Sequence, residues 1–327
     1  MSNTIDNLSE LAIKLNLSPV LVDIGCSGER HKIWDAIAPV STFIGFDPDK
    51  RELIDDTESA YKKNIIIDRV VCDDDSVNEV DFIFTKSPFC SSMLQPDLEQ
   101  LKNYIFYDYF IPESQGKVAA TSLNRVIEER KLSALDWIKI DAQGMDLKII
   151  KSLDESNLSR IIAMDVEPGF IPAYQGEDLF PSVHEYLLSK GFWLAELKSQ
   201  KYPRVTTGSV RDINRLLNLP EENGIQPFLK SSPTAAEARY LRTIPATADC
   251  GGEQVLLLFI FSIICGMHGY ALDVLSEYEK RYGQDKNHGL AFDFLSQVLI
   301  KNSYMPHWRH KLVKKIIARF PSLKRHL

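Results

Sequence analysis

Two segments that combine glycine or acidic side chains with strand ends have the composition of a nucleotide-like cofactor site. The first, Asp23-Ile-Gly25-Cys-Ser27-Gly28, follows the apolar run 20–24, and glycine at a strand end lets the backbone approach a ligand where a Cβ would collide. The second is Asp47, which follows the apolar run 42–46 and could accept hydrogen bonds from both ribose hydroxyls. Each feature alone also fits a tight structural turn, but their pairing favours a cofactor.

A third segment, Trp137-Ile-Lys-Ile-Asp-Ala-Gln-Gly144, carries candidates for acid–base chemistry. Lys139 and Asp141 are two residues apart on a predicted strand, so they share one face. The next predicted strand ends in Asp165 and Glu167. We predict that Asp141 and Glu167 act as general bases and that Lys139 orients or tunes one of them. The alternatives are a structural Lys–Asp pair and a divalent metal held by the same carboxylates; no metal site is expected.

The glycine turn discriminates between two cofactor classes. A nicotinamide dinucleotide site requires Gly-x-Gly-x-x-Gly, so that a helix N-terminus meets the pyrophosphate. Here Ser27 and Arg30 occupy the second and third glycine positions. Asp23, which opens the motif, suits the cationic amino group of a methionine better than a phosphate. These residues favour S-adenosylmethionine.

The elements that must position these side chains are predicted to form a doubly wound, parallel α/β sheet, because short β-rich runs alternate with helical runs through about residue 200. The predicted strands cover 20–24, 42–46, 65–71, 137–140, 160–166 and 192–197, and the predicted helices cover 8–17, 31–38, 122–131, 145–153 and 181–190. The aromatic stretch 80–112 is predicted to be a hairpin-like insertion near the active face. A looser segment begins near 205, and helical spacing resumes near 250.

Composition excludes several classes of protein. The 327 residues have 44% hydrophobic and 25% charged residues, which is typical of a globular chain. A net charge of −7 argues against nucleic-acid binding. The five cysteines lack the spacing of a disulfide framework or a zinc site, and the start of the chain lacks signal-peptide features, so we expect a cytoplasmic protein. The longest apolar run, 255–267, is too short to span a bilayer and predicts a buried helix.

The blocks from about residue 20 to 200 resemble, in order, the FkbM-type S-adenosylmethionine-dependent methyltransferases. The resemblance rests on Val22-Asp-Ile-Gly25 with Trp34, Ile44-Gly-Phe-Asp-Pro-Asp49, Ser91-Ser-Met-Leu94, the segment 137–144, Asp165-Val-Glu167, Tyr174-Gln-Gly-Glu-Asp-Leu-Phe180 and Leu188-Ser-Lys-Gly-Phe192. The family mostly methylates hydroxyl oxygens of sugars, glycans and polyketides. The resemblance implies a Rossmann-like methyltransferase sheet.

The resemblance also implies roles for individual residues. Asp23, Gly25 and Ser27 would line the methionine end of the cofactor, Asp47 would bind its ribose, and Asp73 would lie near its adenine. Two residues depart from the family pattern. Glu29 replaces a usual glycine, and Asp146 replaces a usual glutamate.

We predict three parts of the chain: an N-terminal helix (1–18), a methyltransferase domain (19–245) and a C-terminal helical region (246–327). Residues 301–327 carry eight cations and no carboxylate, and Trp308, Leu312, Ile316 and Phe320 recur at four-residue steps. We predict an amphipathic helix there that docks on the core; the alternative is contact with an anionic membrane or an acidic partner.

The sequence therefore predicts a cytoplasmic O-methyltransferase for a small-molecule or glycan acceptor, such as an enzyme of polysaccharide modification. Two rivals remain: a nicotinamide-dependent oxidoreductase, and a non-catalytic partner-binding protein that retains the fold. Glu29 and Asp146 are the departures that keep the second rival open.

Overall fold

The computed structural model describes residues 8–26, 31–48, 60–222 and 224–303. In chain order its strands are β1 (Val20–Ile24), β2 (Thr42–Phe46), β3 (Lys63–Ile67), β4 (Val70–Val71), β5 (Glu79–Thr85), β6 (Pro112–Thr121), β7 (Trp137–Ile140), β8 (Ala163–Val166), β9 (Phe192–Pro203) and β10 (Ser231–Arg242). Its helices are α1 (Leu8–Lys14), α2 (Leu98–Leu101), α3 (Leu123–Arg130), α4 (Asp146–Ser152), α5 (Glu155–Leu158), α6 (Phe180–Ser189), α7 (Thr207–Leu216), α8 (Gly252–Ile264), α9 (His268–Tyr282) and α10 (Lys286–Asn302).

The central sheet has seven strands in the order β3-β2-β1-β7-β8-β10-β9. All neighbouring pairs are parallel except those of β10, which is antiparallel to β8 and β9. The chain moves outward from β1 to β3 and then returns to place β7 on the other side of β1. This reversal creates a switch point between β1 and β7, where open α/β sheets bind ligands at the carboxyl ends of the strands. The doubly wound prediction is confirmed.

The central strands are apolar because both faces of the sheet are covered. On one face, Leu21 and Trp137 share a hydrophobic cluster with α1 and with α8, α9 and α10. On the other face, Ile138 and Met164 pack with side chains of α3, α4 and α6. In α8, every residue from 255 to 263 is buried, as the apolar run predicts. The helices after residue 246 thus contribute to the same core as the sheet.

A second sheet, in the order β4-β6-β5, carries the predicted insertion. Strands β5 and β6 pair antiparallel, as expected of a hairpin-like stretch. The chain between them, residues 86–111, includes α2 and two 3₁₀ turns, Pro88–Cys90 and Tyr107–Phe110. The insertion stands beside the carboxyl ends of β1 and β7.

Three predicted elements differ from the structure. The strand predicted at 65–71 is divided between the two sheets, because the chain turns after Ile67 and only Val70–Val71 reaches β6. The helix predicted at 31–38 is replaced by 3₁₀ turns at Lys32–Trp34 and Ala38–Val40, where Pro39 lacks the N–H that a continuing helix needs. The loose segment after 205 contains α7 and β10; the alanine-rich β10 has weak strand propensity but pairs with a strand on each side.

Within the described residues, none of the helices is long and apolar enough to cross a bilayer. The predicted basic helix with Trp308, Leu312, Ile316 and Phe320 lies outside the described residues.

Candidate active site

The carboxyl ends of β1 and β7 meet through a glycine. Gly25 has φ +81°, and a Cβ at this position would lie 2.4 Å from the backbone oxygen of Asp141. The N–H of Asp141 donates to the carbonyl of Ile24 at 3.0 Å, while those of Gly25 and Cys26 donate to Phe46. A side chain at position 25 would separate the two strand ends, so glycine is required here.

A cavity of about 770 Å³ opens at this switch point. Its lining includes Asp23, Gly25, Asp47, Lys139 and Asp141, so the structure brings together most of the sequence-predicted residues. Asp23 and Asp47 are both 4% exposed. Buried carboxylates beside a glycine turn fit a ligand that carries cationic groups and hydroxyl donors, which S-adenosylmethionine does. The residues present therefore fit this cofactor.

Lys139 lies at the centre of three carboxylates. Its Nζ is 3.4 Å from Oδ1 of Asp23, 3.8 Å from Oδ2 of Asp141 and 3.8 Å from Oε1 of Glu167. Asp23 and Lys139 are register partners in β1 and β7, which explains why their side chains share a face. One cation thus serves three acids that come from three neighbouring strands.

The pKa shifts in this group follow from burial and from the excess of carboxylates over the single lysine. Burial raises the pKa of Asp23, against the lowering effect of Lys139. Burial alone would lower the pKa of Lys139, but the three carboxylates raise it above its ordinary value. Burial and the charge of Asp141 raise the pKa of Glu167 well above its ordinary value, because Lys139 compensates only part of both effects. The lysine stays charged, and Glu167 holds its proton unusually tightly.

Asp146, which opens α4, holds the ends of β7 and β8 in place. Its Oδ1 accepts from the N–H of Ala142 at 3.2 Å and its Oδ2 from the N–H of Glu167 at 2.9 Å. Burial raises the pKa of Asp146 to about 7. The shorter side chain at this departure from the family pattern therefore makes two backbone contacts and fixes the position of Glu167.

Gln143 connects Asp141 to the insertion and to the loop after β8. Its Nε2 donates to Asp141, and its Oε1 accepts from the hydroxyl of Tyr174 at 2.8 Å. Its carbonyl accepts from Ser92 at 2.8 Å. Tyr174 is buried, and its hydroxyl also lies 2.9 Å from the carbonyl of Cys90. Sequence reasoning quoted Tyr174 only as part of the resemblance and assigned it no role.

A second cavity of about 1110 Å³ adjoins the first, and the two share Phe89, Asp141 and Gln143 in their linings. Glu167 lines only the second cavity. The second cavity has an aromatic wall, which the insertion contributes in large part. The wall consists of Phe89, Phe106, Tyr109, Phe110, Tyr174 and Tyr202. The candidate bases thus lie where the first cavity meets the open, aromatic second cavity.

Other predicted residues lie elsewhere. Ser27 and Glu29 are outside the described residues. Asp73 is exposed and is not part of the described lining of the first cavity, whose wall on that side includes Val70 and Phe82. Arg69 does line that cavity, although its isolated position gave no signal in the sequence.

Asp165 takes part in a separate polar cluster on the same face of the sheet. Its carboxylate bonds to His31 Nε2 at 3.1 Å, Trp137 Nε1 at 3.0 Å and Arg239 Nε at 2.7 Å. His31 and Arg239 hold the pKa of Asp165 below its ordinary value despite burial. Of the two acids that end β8, only Glu167 reaches the cavities.

In the part of the chain that the structure describes, no group of three or more His, Cys, Asp or Glu side chains is arranged to hold a metal ion.

Residues 64–194 match the family model described as the methyltransferase FkbM domain. The match runs from β3 into β9 and includes Lys139, Asp141 and Glu167, whereas Asp23 and Asp47 precede it. None of the curated proteins matches the chain.

Proposed function

Because the chain carries an FkbM-type methyltransferase domain, we propose that it transfers a methyl group from S-adenosylmethionine to a hydroxyl of a carbohydrate, glycan or related metabolite. The observation that supports this proposal is the junction of two cavities at Asp141 and Gln143. A group-transfer enzyme needs such a junction, because donor and acceptor must meet in one orientation.

In this proposal the first cavity holds the cofactor. Asp23 faces its amino group, Gly25 leaves room for the backbone to approach, and Asp47 accepts from the ribose hydroxyls. The cofactor supplies an electrophilic methyl group. Cationic groups of the ligand would also relieve the excess negative charge around Lys139.

The second cavity holds the acceptor. Its aromatic side chains provide flat surfaces for the apolar faces of sugar rings, and its acids provide acceptors for hydroxyl protons. Asp141, or Glu167 once it has been ionised, takes the proton of the reacting hydroxyl as the methyl group leaves the sulfonium to give S-adenosylhomocysteine, and Lys139 stabilises the ionised carboxylates. Orientation contributes about 7 to 11 kcal/mol to such reactions, and a positioned base adds roughly 10² to 10⁴-fold.

The proposal also includes a cytoplasmic location. All five cysteines are free thiols, which agrees with a reducing compartment.

The test begins with binding. We expect S-adenosylmethionine to raise the melting temperature of the protein, and NAD at the same concentration to leave it unchanged. A library of glycans and small saccharides, assayed with methyl-labelled cofactor, then identifies an acceptor. With that acceptor, Glu167→Gln or Asp141→Asn should lower turnover by about 100-fold while cofactor affinity stays nearly the same. Absence of cofactor binding by the native protein would contradict the proposal, and full turnover in both variants would remove their role as bases.

A further inference from the structure

The second cavity has a one-sided charge. The charged side chains in its lining are Asp141, Glu167 and Glu177, and no Lys, Arg or His belongs to its described lining. A ligand with a carboxylate, sulfate or phosphate at this position would meet acidic side chains and no cation of the described lining. The cavity therefore selects against acidic acceptors.

Two lysines close to the cavity already have partners. Lys139 lines the first cavity rather than the second and serves three carboxylates at 3.4 to 3.8 Å. Lys148 lies 3.7 Å from Asp178 and donates to the carbonyl of Gly176. Neither lysine is positioned to bind an acidic ligand in the second cavity.

A count of charges shows what the cavity lacks. If all three were ionised, Asp23, Asp141 and Glu167 would carry three negative charges against the single positive charge of Lys139. Bound S-adenosylmethionine, whose ammonium, sulfonium and carboxylate sum to one positive charge, offsets one of the two that remain. Because a partly buried charge without a counter-ion is costly, Glu167 keeps its proton unless another cation binds beside it.

Of the acids that line the second cavity, Glu167 has the least compensation for a negative charge. It is 24% exposed, it lines only the second cavity, and the charges of Asp141, Asp146 and Glu237 all act against its ionisation. By contrast, Glu177 accepts from the N–H groups of Ala173 and Tyr174, both at 3.1 Å. The raised pKa of Glu167 agrees with a site that lacks one positive charge.

We propose that the acceptor of this enzyme is an amino sugar in its ammonium form, with the ammonium group against Glu167 and the sugar ring against the aromatic wall. The inference rests on the proposed function and deepens it. An ammonium group completes the charge balance, and aromatic faces such as those of Phe110 and Tyr174 also favour a cation. Asp141 then remains as the base for the neighbouring hydroxyl.

The test measures binding apart from turnover. Protein saturated with S-adenosylhomocysteine is titrated with three sugars on one ring, glucosamine, N-acetylglucosamine and glucuronate, and with the three galacto-configured counterparts, while ligand NMR signals are followed. We expect an amino sugar to bind at least 10-fold more tightly than its N-acetylated form, and the uronates to show no binding. Raising NaCl from 50 to 500 mM should weaken binding of the amino sugar only.

Two variants locate the effect. Glu167→Gln should reduce the preference for the ammonium form to less than 3-fold, whereas Glu185→Gln, the same change on the exposed side of α6, should preserve it. The wild-type salt dependence tests the inference even if Glu167→Gln fails to fold. Equal or tighter binding of the uronates, an unchanged preference in a folded Glu167→Gln, or no binding by any of the six sugars overturns the inference. Failure to bind S-adenosylmethionine would instead overturn the proposed function.

Discussion

The charge balance of the site depends on single residues, because the site contains few positive charges. Lys139 is 14% exposed and touches acids from β1, from the end of β7 and from the end of β8. Replacing it would leave those buried carboxylates without a counter-ion, which is more costly than losing a surface ion pair. Lys139 therefore supports both the fold of the switch point and the charge balance of the two cavities.

Asp47 provides the sharpest test of cofactor placement at this scale. It is 4% exposed and lines the first cavity, so Asp47→Asn should weaken S-adenosylmethionine binding by about 10 to 100-fold, because hydrogen bonds to a charged acceptor contribute about 1.5 to 3 kcal/mol. Isothermal titration calorimetry measures this change.

Asp73→Asn is the matched control for that experiment. Asp73 is exposed and outside the described lining, so its substitution should leave affinity within about 2-fold of the native value. Equal effects of the two substitutions would mean that the ribose lies elsewhere, and would return Asp73 to the role that the resemblance implies.

At the scale of elements, the turn between β7 and α4 decides where Glu167 points. Asp146 accepts from the N–H of Ala142 within that turn and from the N–H of Glu167 after β8, and Gln143 and Gly144 have φ values of +47° and +93°. A Cβ on Gly144 would meet side-chain atoms of Glu177 and Leu94 at 3.0 to 3.2 Å. The turn is therefore held both by hydrogen bonds and by close packing.

Asp146 should make stability depend on pH. Burial raises its pKa from 3.8 to about 7, so between these pH values the folded protein binds a proton that the unfolded chain releases. The free energy of unfolding then falls as the pH rises through this window, by about 1.4 kcal/mol for each unit of difference in pKa. Asp146→Asn cannot titrate, so its urea-unfolding free energy should fall less between pH 5 and 8 than that of the native protein. Parallel pH profiles would contradict this assignment.

At the scale of the whole molecule, the C-terminal region closes one face of the sheet. Helices α8, α9 and α10 share a cluster with Trp137 of β7, two residues before Lys139. The site therefore lies above a core that the last part of the described chain completes. Near the end of α10, Ile300 is 74% exposed and Leu299 is 41% exposed.

Deletion of residues 304–327 tests the prediction that the basic C-terminal segment docks on the core. If the segment docks, the truncated protein should be less stable and should bind more of a hydrophobic dye, because the apolar side chains of the segment no longer cover their site on the core. A thermal melt and a dye titration of both proteins measure this. Unchanged stability, together with loss of salt-sensitive binding to anionic vesicles, would favour the membrane alternative instead.

The strand ends that carry the candidate site residues, and the class of the fold, could be predicted from local sequence patterns. The apolar runs before Asp23, Asp47 and Asp141 are local signals, since a strand buried on both faces must be continuously apolar. The segment 137–140 was predicted with the bounds that the structure has. The aromatic insertion was also readable, because its pattern departs from the βα alternation around it.

Which of these residues come into contact depends on long-range packing and could not be predicted from local patterns. Sequence spacing places Asp165 and Glu167 on one face of β8, yet Asp165 pairs with Arg239, which β10 brings from 74 residues further along the chain. The strand β10 was missed because its alanines lack strand propensity and gain stability only from neighbours on both sides. The places of Arg69 and Tyr174 in the cavity linings were missed for a related reason: other elements of the fold build the cavities around them. Local pattern fixes what a segment can form, whereas long-range packing fixes what it contacts.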